Sequence, residues 1–344
     1  MHEKKINMNL NIGIIGSGAF GTSLSLYFCN QNHKATLYTL SDHRTKPLLE
    51  NRVNDKYLPH HTLPETLEIV TSIDDLEKQD IVIVALPVSA IIPFFEKHIE
   101  HFKKMSGKII LAAKGFLPHE YSTSNFIFLA DYLLHRMGLN AYVLSGPNFA
   151  SEIAEGKISA STLAGYDEDE TLKISQALSS SYWRIYPSND VMGVSFCGAA
   201  KNVYAIASGI AFGLDCGQNT LSALLTRSLA EMKRLGVKLG AQESTFLGLS
   251  GVGDMILTCS STQSRNMKFG LELSKGKSVN DALKFSNGVV EGYKTCQRLF
   301  QLSQEYNVHM PIVNSIYGML YENQDLKTAI IKITDLPLKT YENQ

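Results

Sequence analysis

The chain has 344 residues, enough for two domains at roughly 150 residues each. Its 32 lysines and arginines against 33 acidic residues leave a net charge of −1, which excludes a whole-chain field for nucleic acid or an anionic membrane. With 44% hydrophobic and 19% charged residues, the composition is that of a folded protein with sizeable cores, and it excludes disorder as the main state.

The predicted elements follow from apolar periodicity. In the first half, short apolar runs alternate with amphipathic segments, the pattern of a sheet with crossover helices. In chain order this predicts a strand at Leu10–Ile15, a helix at Gly21–Gln31, strands at Ala35–Tyr38 and Ile81–Leu86, and a helix at Ser89–Phe102. A strand at Lys108–Ala112, a helix at Ser122–Met137, strands at Ala141–Leu144 and Ser161–Ala164, a helix at Glu168–Ser180 and a strand at Arg184–Tyr186 follow. Ile81–Leu86 (IVIVAL) is continuously apolar, as a parallel strand buried on both faces must be. From Val191 onward helical periodicity takes over, at Val191–Phe212, Asn219–Leu239, Met267–Ser274, Val290–Glu305 and Pro311–Tyr321, with Asn219 and Pro311 as helix starts. The expected architecture is an α/β domain with a mostly parallel sheet over 1–190, then an all-α domain over 191–344. Active sites commonly form in the cleft of such a pair.

The five cysteines, at 29, 197, 216, 259 and 296, are scattered, with no CxxC and no metal-ligand spacing, and read as mostly buried free thiols of a reducing compartment. The N-terminal segment lacks the apolar core of a signal peptide, and no stretch approaches the ~20 apolar residues of a bilayer span. A cytoplasmic protein with no metal, nucleic-acid or membrane partner is expected.

Gly16-Ser17-Gly18-Ala19-Phe20-Gly21 is a GxGxxG run between the apolar NIGII and an amphipathic helix. Its first glycine permits the tight strand-to-helix turn, the second lets the backbone approach a pyrophosphate, and the third lets the helix pack on the strand. The helix start then offers free amides and a partial positive charge to phosphate. A purely structural glycine turn is the competing reading. A ribose-binding acid is due about 20 residues on, at the end of the second strand. Tyr38-Thr39-Leu40-Ser41 has none, Asp42 comes late and Arg44 stands beside it, so NAD and NADP both remain open.

Lys201 is the one full charge within VMGVSFCGAAKNVYAIASGIAFG. An ammonium on such an apolar, small-residue helix is costly, and desolvation lowers its pKa into the range of a general acid or base. Snorkelling, or pairing with a distant carboxylate, is the alternative. Lys114 follows the strand KIIL, near the carboxyl edge where open α/β sheets bind ligands. Gln263-Ser264-Arg265-Asn266 precedes a helix and suits a phosphate clamp, although Asn266 could equally be a cap and Arg265 a surface charge. Leu249–Asp254 (LSGVGD) and Ser145–Asn148 (SGPN) form further loops that could be ordinary turns.

Taken together, GSGAFG, AAKG, SGPNFASE, GAAKNVYAIASG, TRSLAEMKRLG, LSGVGDMILTC, QSRN and VVEGYKT, in this order over nearly the whole chain, resemble the bacterial-type NAD(P)-dependent sn-glycerol-3-phosphate dehydrogenases. The resemblance implies a Rossmann-like N-terminal domain, a helical C-terminal domain and a homodimer. It implies interconversion of dihydroxyacetone phosphate and sn-glycerol 3-phosphate with NAD and/or NADP, supplying glycerol 3-phosphate for phospholipid synthesis. Lys201 falls on the family's catalytic lysine. Lys114, Gly146, Asn148, Lys201, Asp254, Ser264, Arg265 and Asn266 fall on substrate-contacting positions. Ala19, Phe20, Lys114, Ala150, Arg265, Val289 and Glu291 fall on cofactor-contacting positions, beside Gly16, Ser17, Gly18 and Gly21. The sequence departs from the family at Ala19, often Ser, at Asn148, often Thr or Ser, and at Tyr38, frequently Trp. The rival readings are another two-domain dehydrogenase, of a hydroxy acid or imine, and a non-catalytic dinucleotide sensor.

Overall fold

The structure is a computed structural model that describes residues 9–40, 42–118, 120–122, 127–286 and 289–329. The chain divides into two compact units, one of residues 1–113 and 117–191, the other of 114–116 and 192–344.

The first unit is built on an eight-stranded sheet. Its strands are β1 (Asn11–Ile15), β2 (Lys34–Tyr38), β5 (Glu68–Val70), β6 (Ile81–Val84), β7 (Lys108–Leu111), β8 (Ala141–Ser145), β9 (Ser159–Ala164) and β10 (Trp183–Ser188). Two short strands, β3 (Val53–Asn54) and β4 (Leu58–Thr62), form a separate antiparallel hairpin. The order across the sheet is β10-β9-β8-β7-β6-β1-β2-β5, parallel throughout except where β8 meets β9. The α/β and all-α classes are thus as the sequence leads one to expect. All four residues of β6 are buried, which is why IVIV carries no alternation. The chain leaves β1 for β2 on one side and returns to β6 on the other. The carboxyl end of β1 therefore lies at a topological switch point, where such sheets bind ligands.

Several elements differ from the predicted ones. The segment expected as one helix from Ser89 to Phe102 is two, Val88–Lys97 and Ile99–Lys104, separated at His98, whose φ of −117° and ψ of 21° leave the helical region. The predicted helix 122–137 is only Leu129–Tyr132 plus a wider turn, Leu133–Met137, ended by Gly138 at φ 70°; residues 123–126 lie outside the described residues.

The second unit is helical. The Val191–Gly213 helix runs through its core with Phe196, Cys197, Val203, Tyr204 and Ile206 fully buried. It crosses the Arg265–Ser274 helix at backbone contact: a Cβ on Gly209 would stand 2.1 Å from the Met267 carbonyl oxygen, and one on Gly270 2.1 Å from that of Ile206. Only glycine allows that approach, and it brings the start of the second helix to the middle of the first. The following helix begins at Gly217 rather than Asn219, so Asn219 lies inside it and is no cap. Cys197, Cys259 and Cys296 are buried, Cys29 is half-buried and Cys216 is exposed. Among the described residues, no helix is long and apolar enough to cross a membrane.

Candidate active site

The glycine-rich loop joins β1 to the Ala19–Asn30 helix at the switch point. Gly16 has φ 115°, a conformation that favours glycine, and a Cβ there would press within 2.9 Å of the Ala85 carbonyl oxygen. A Cβ on Gly21 would fall 1.9 Å from the Gly16 carbonyl oxygen, so the helix can pack this closely only through glycine. At Gly18 the result is opposite: among the described residues, a Cβ would meet nothing within 4 Å. Two of the glycines are thus demanded by the protein's own packing, and the third leaves open space on the loop. Among the described residues, no side chain caps the helix that follows. Open space beside uncapped helix-start amides fits a dinucleotide's pyrophosphate.

Ser17 is buried, and its hydroxyl pairs with Thr39 Oγ1 at 3.1 Å, tying the loop to the end of β2. Phe20 packs against the sheet core and Ala19 opens the helix. Ala150 opens the short Ala150–Ala154 helix, which packs on the Ala19–Asn30 helix. Residue 41 and the side chains of 42–44 lie outside the described residues.

Gly146 follows β8 with φ 127°, and a Cβ there would meet Ser161 Cα at 3.0 Å. Asn148 is buried, its Nδ2 donating to Ser161 Oγ at 3.2 Å. That hydroxyl also accepts from Trp183 Nε1 at 3.0 Å, so the amide of Asn148 is turned toward β9.

In the second unit, Lys201 is 5% exposed and is not solitary. Its Nζ donates to Asp254 Oδ1 and, at 2.8 Å, to Thr258 Oγ1. Lys114 Nζ donates to the other oxygen of Asp254, Oδ2, at 2.9 Å. The alternative of pairing with a distant carboxylate is therefore realised in the fold, and it does not neutralise the site: two ammoniums share one carboxylate. Asp254 opens the Asp254–Ser260 helix, so Thr258, four residues on, lies on the same face. That i,i+4 spacing from Asp254 is the one sequence signal that points to Thr258.

The electrostatics follow from burial and this sharing. Burial pushes Lys201 down to about 8; Asp254 opposes the fall and Lys114 adds to it. Burial alone would raise the carboxyl of Asp254, but Lys114 and Lys201 outweigh it and hold it below its ordinary value. An ammonium has three hydrogens. Asp254 and Thr258 accept two of those on Lys201, which leaves one to offer elsewhere.

Ser264, not Asn266, caps the Arg265–Ser274 helix, its hydroxyl accepting from Met267 N at 3.3 Å. The helix starts two residues earlier than predicted, which puts Arg265 in its first turn. Asn266 is turned inward: Nδ2 donates to Asn202 Oδ1 at 2.9 Å, and Oδ1 accepts from Gly292 N at 2.9 Å. Arg265 is exposed. Glu291 opens the Glu291–Glu305 helix, and burial raises its carboxyl, opposed by Lys294 and Arg265. Val289 is exposed on the approach to that helix. The structure thus brings Lys114, Lys201, Asp254 and Thr258 together, and straps the Arg265 helix start to Asn202 and Gly292.

The family model for the N-terminal part of NAD-dependent glycerol-3-phosphate dehydrogenase matches residues 11–171, and that for the C-terminal part matches residues 190–331. The chain belongs to this family. It is 36% identical over 326 residues to a glycerol-3-phosphate dehydrogenase (NAD(P)+) of Colwellia psychrerythraea, covering 94% of this chain and 96% of that one. A Pseudomonas syringae protein of the same name is 38% identical over 321 residues, covering 93% of this chain and 92% of the relative. The crystal structure of glycerol-3-phosphate dehydrogenase from Coxiella burnetii superposes with a TM-score of 0.85 at 29% identity, covering 95% of this chain and 99% of that one.

Proposed function

We propose that this dehydrogenase-family chain interconverts dihydroxyacetone phosphate and sn-glycerol 3-phosphate using NADH or NADPH. Residues 1–190 carry the dinucleotide and residues 191–344 the acid–base chemistry. The observation that carries the reading is the buried ammonium of Lys201, which shares Asp254 with Lys114 and has a hydrogen left to donate.

When bound, the nicotinamide dinucleotide supplies the hydride transfer. The chain supplies the rest. Gly16, Ser17, Gly18, Ala19, Phe20 and Gly21 would hold the pyrophosphate at the switch point, and Ala150, Val289, Glu291 and Arg265 are the further positions that the family resemblance assigns to the dinucleotide. A neutral Thr39 at the end of β2, where NAD-specific sites hold an acid, supports acceptance of either dinucleotide.

In the reducing direction negative charge builds on the C2 oxygen of the ketone. Lys201 as ammonium stabilises that charge and passes its Nζ proton to the oxygen, leaving a neutral amine and a hydroxyl. In the oxidising direction neutral Lys201 takes that hydroxyl proton back. Asp254 stays ionised and fixes Nζ, Thr258 completes the orientation, and Lys114 adds positive charge at the reacting end. Arg265 with the amides of its helix start holds the phosphate, capped by Ser264; Gly146, Asn148 and Asn266 shape the substrate's surroundings. The product serves phospholipid synthesis in the cytoplasm, and the enzyme works as a homodimer.

Steady-state kinetics with dihydroxyacetone phosphate, comparing NADH and NADPH, test the activity. Lys201→Ala is expected to lower kcat by about 10²–10⁴-fold. Near-normal turnover in a folded Lys201→Ala variant would remove Lys201 from this role. Turnover of an unphosphorylated hydroxy acid in preference to the phosphorylated ketone would overturn the substrate.

A further inference from the structure

The β3–β4 hairpin stands apart from the main sheet, yet it places one buried side chain against the glycine-rich loop. Asn54, 7% exposed, donates from Nδ2 to the Ser17 carbonyl oxygen at 2.9 Å and to Thr22 Oγ1 at 2.7 Å. The carbonyl it holds belongs to the Ser17–Gly18 peptide. In a planar trans peptide the C=O and N–H point in opposite directions, so fixing one fixes the other. With the oxygen drawn toward Asn54, the Gly18 N–H is turned away from the hairpin. Gly18 is the residue where a Cβ would meet nothing within 4 Å, the open point of the loop. The second bond reaches the first turn of the helix, so one amide spans loop and helix start. Both of its hydrogens are used in doing so.

We propose that Asn54 is a positioning residue for the dinucleotide: it sets the Ser17–Gly18 peptide so that the Gly18 N–H is presented to the pyrophosphate. The proposal rests on the reading of this loop as the dinucleotide site. Nothing in the GxGxxG pattern points to Asn54, which comes 32 residues after Thr22.

The test is a fluorescence titration of NADH on the purified proteins, with thermal unfolding alongside. Asn54→Ala removes both bonds and is expected to weaken NADH about tenfold, the worth of the one that sets the Ser17 carbonyl. The KM for dihydroxyacetone phosphate should stay within about twofold, since Asn54 acts on the nucleotide alone. Asn54→Asp should weaken NADH further, because it removes both donors and sets a carboxylate against the Ser17 carbonyl and near the phosphates. A packing role predicts the reverse order, since Asp is almost the shape of Asn. Thr22→Val keeps the Ser17 bond and should leave NADH affinity within about twofold of wild type. NADH binding unchanged in Asn54→Ala, binding by Asn54→Asp stronger than by Asn54→Ala, or a loss in Thr22→Val as large as in Asn54→Ala would each overturn the proposal. A wild-type protein that binds neither NADH nor NADPH would instead overturn the dinucleotide reading itself.

Discussion

Replacing Asp254 by asparagine keeps the side chain's shape and removes the charge that Lys201 and Lys114 share. Lys201 already sits near 8, because burial and Lys114 outweigh the carboxylate's support. Two unit charges ~4 Å apart at an effective dielectric of ~20 interact by about 4 kcal/mol, equivalent to about three pKa units. The new amide oxygen and Thr258 recover part of that, so the Lys201 midpoint should fall by at least about one unit. The consequence has a definite sign. Reduction needs the ammonium, so wild-type activity toward dihydroxyacetone phosphate should fall as pH rises through about 8. In Asp254→Asn that decline should begin at least about one unit lower, with about a tenfold loss per unit beyond it. Oxidation needs the neutral amine, and its rising limb should shift the same way. The assay is kcat/KM in both directions across the pH range, with circular dichroism to confirm folding. An alkaline limb that stays in place in a folded Asp254→Asn protein would show that this carboxylate does not govern the protonation of Lys201.

Four further outcomes are expected. Gly18→Ala should fold with unchanged stability, because its φ of −77° suits alanine and the Cβ meets nothing, yet bind NADH at least about tenfold more weakly. Gly21→Ala, with its Cβ 1.9 Å from the Gly16 carbonyl oxygen, should lose about 3 kcal/mol or fail to fold, as denaturant titration would record. Arg265→Ala should raise the KM for dihydroxyacetone phosphate with a smaller effect on kcat; an unchanged KM would take Arg265 out of the clamp. The last outcome concerns Glu231, buried where its carboxylate accepts from the Ile312 and Val313 amides; burial raises it to about 7 against the pull of those amides, Arg234 and Arg227. A carboxyl raised on folding adds stability that is present below its unfolded pKa and lost as pH rises through about 7. Glu231→Gln should remove that slope, so unfolding free energies compared at about pH 5 and about pH 8 should shift in the variant's favour by about 3 kcal/mol.

Much of the fold was legible in the chain because it rests on local pattern. NIGII before GSGAFG, the unbroken IVIV run, and the helix around Lys201 each carry their own signal in spacing and burial. Among the described residues, the strands and α-helices that the sequence pattern does not predict are β3, β4, β5 and the helices Asp42–Asn51, Ala150–Ala154, Asp254–Ser260 and Val279–Phe285, none longer than ten residues. Segments this brief are marginal alone and form because a neighbour pairs with them or covers them. Ser264 as the cap shows the same limit at one residue's scale. Spacing offered Asn266 as a possible cap and a helix start near Met267; the helix starts at Arg265 with Ser264 as its cap, while the Asn266 amide is engaged by Asn202 and Gly292.

By itself the sequence determined that a parallel α/β half precedes a helical half, that a glycine loop follows the first strand, and that an isolated lysine sits in an apolar helix. It could not determine what that lysine touches. Asp254 lies 53 residues from Lys201 and 140 from Lys114, and Asn54 meets a carbonyl 37 residues before it. Such pairs leave no periodic trace, since what brings them together is the packing of separate elements. The tertiary structure alone converts a buried cation from a liability into one of two ammoniums on a shared carboxylate.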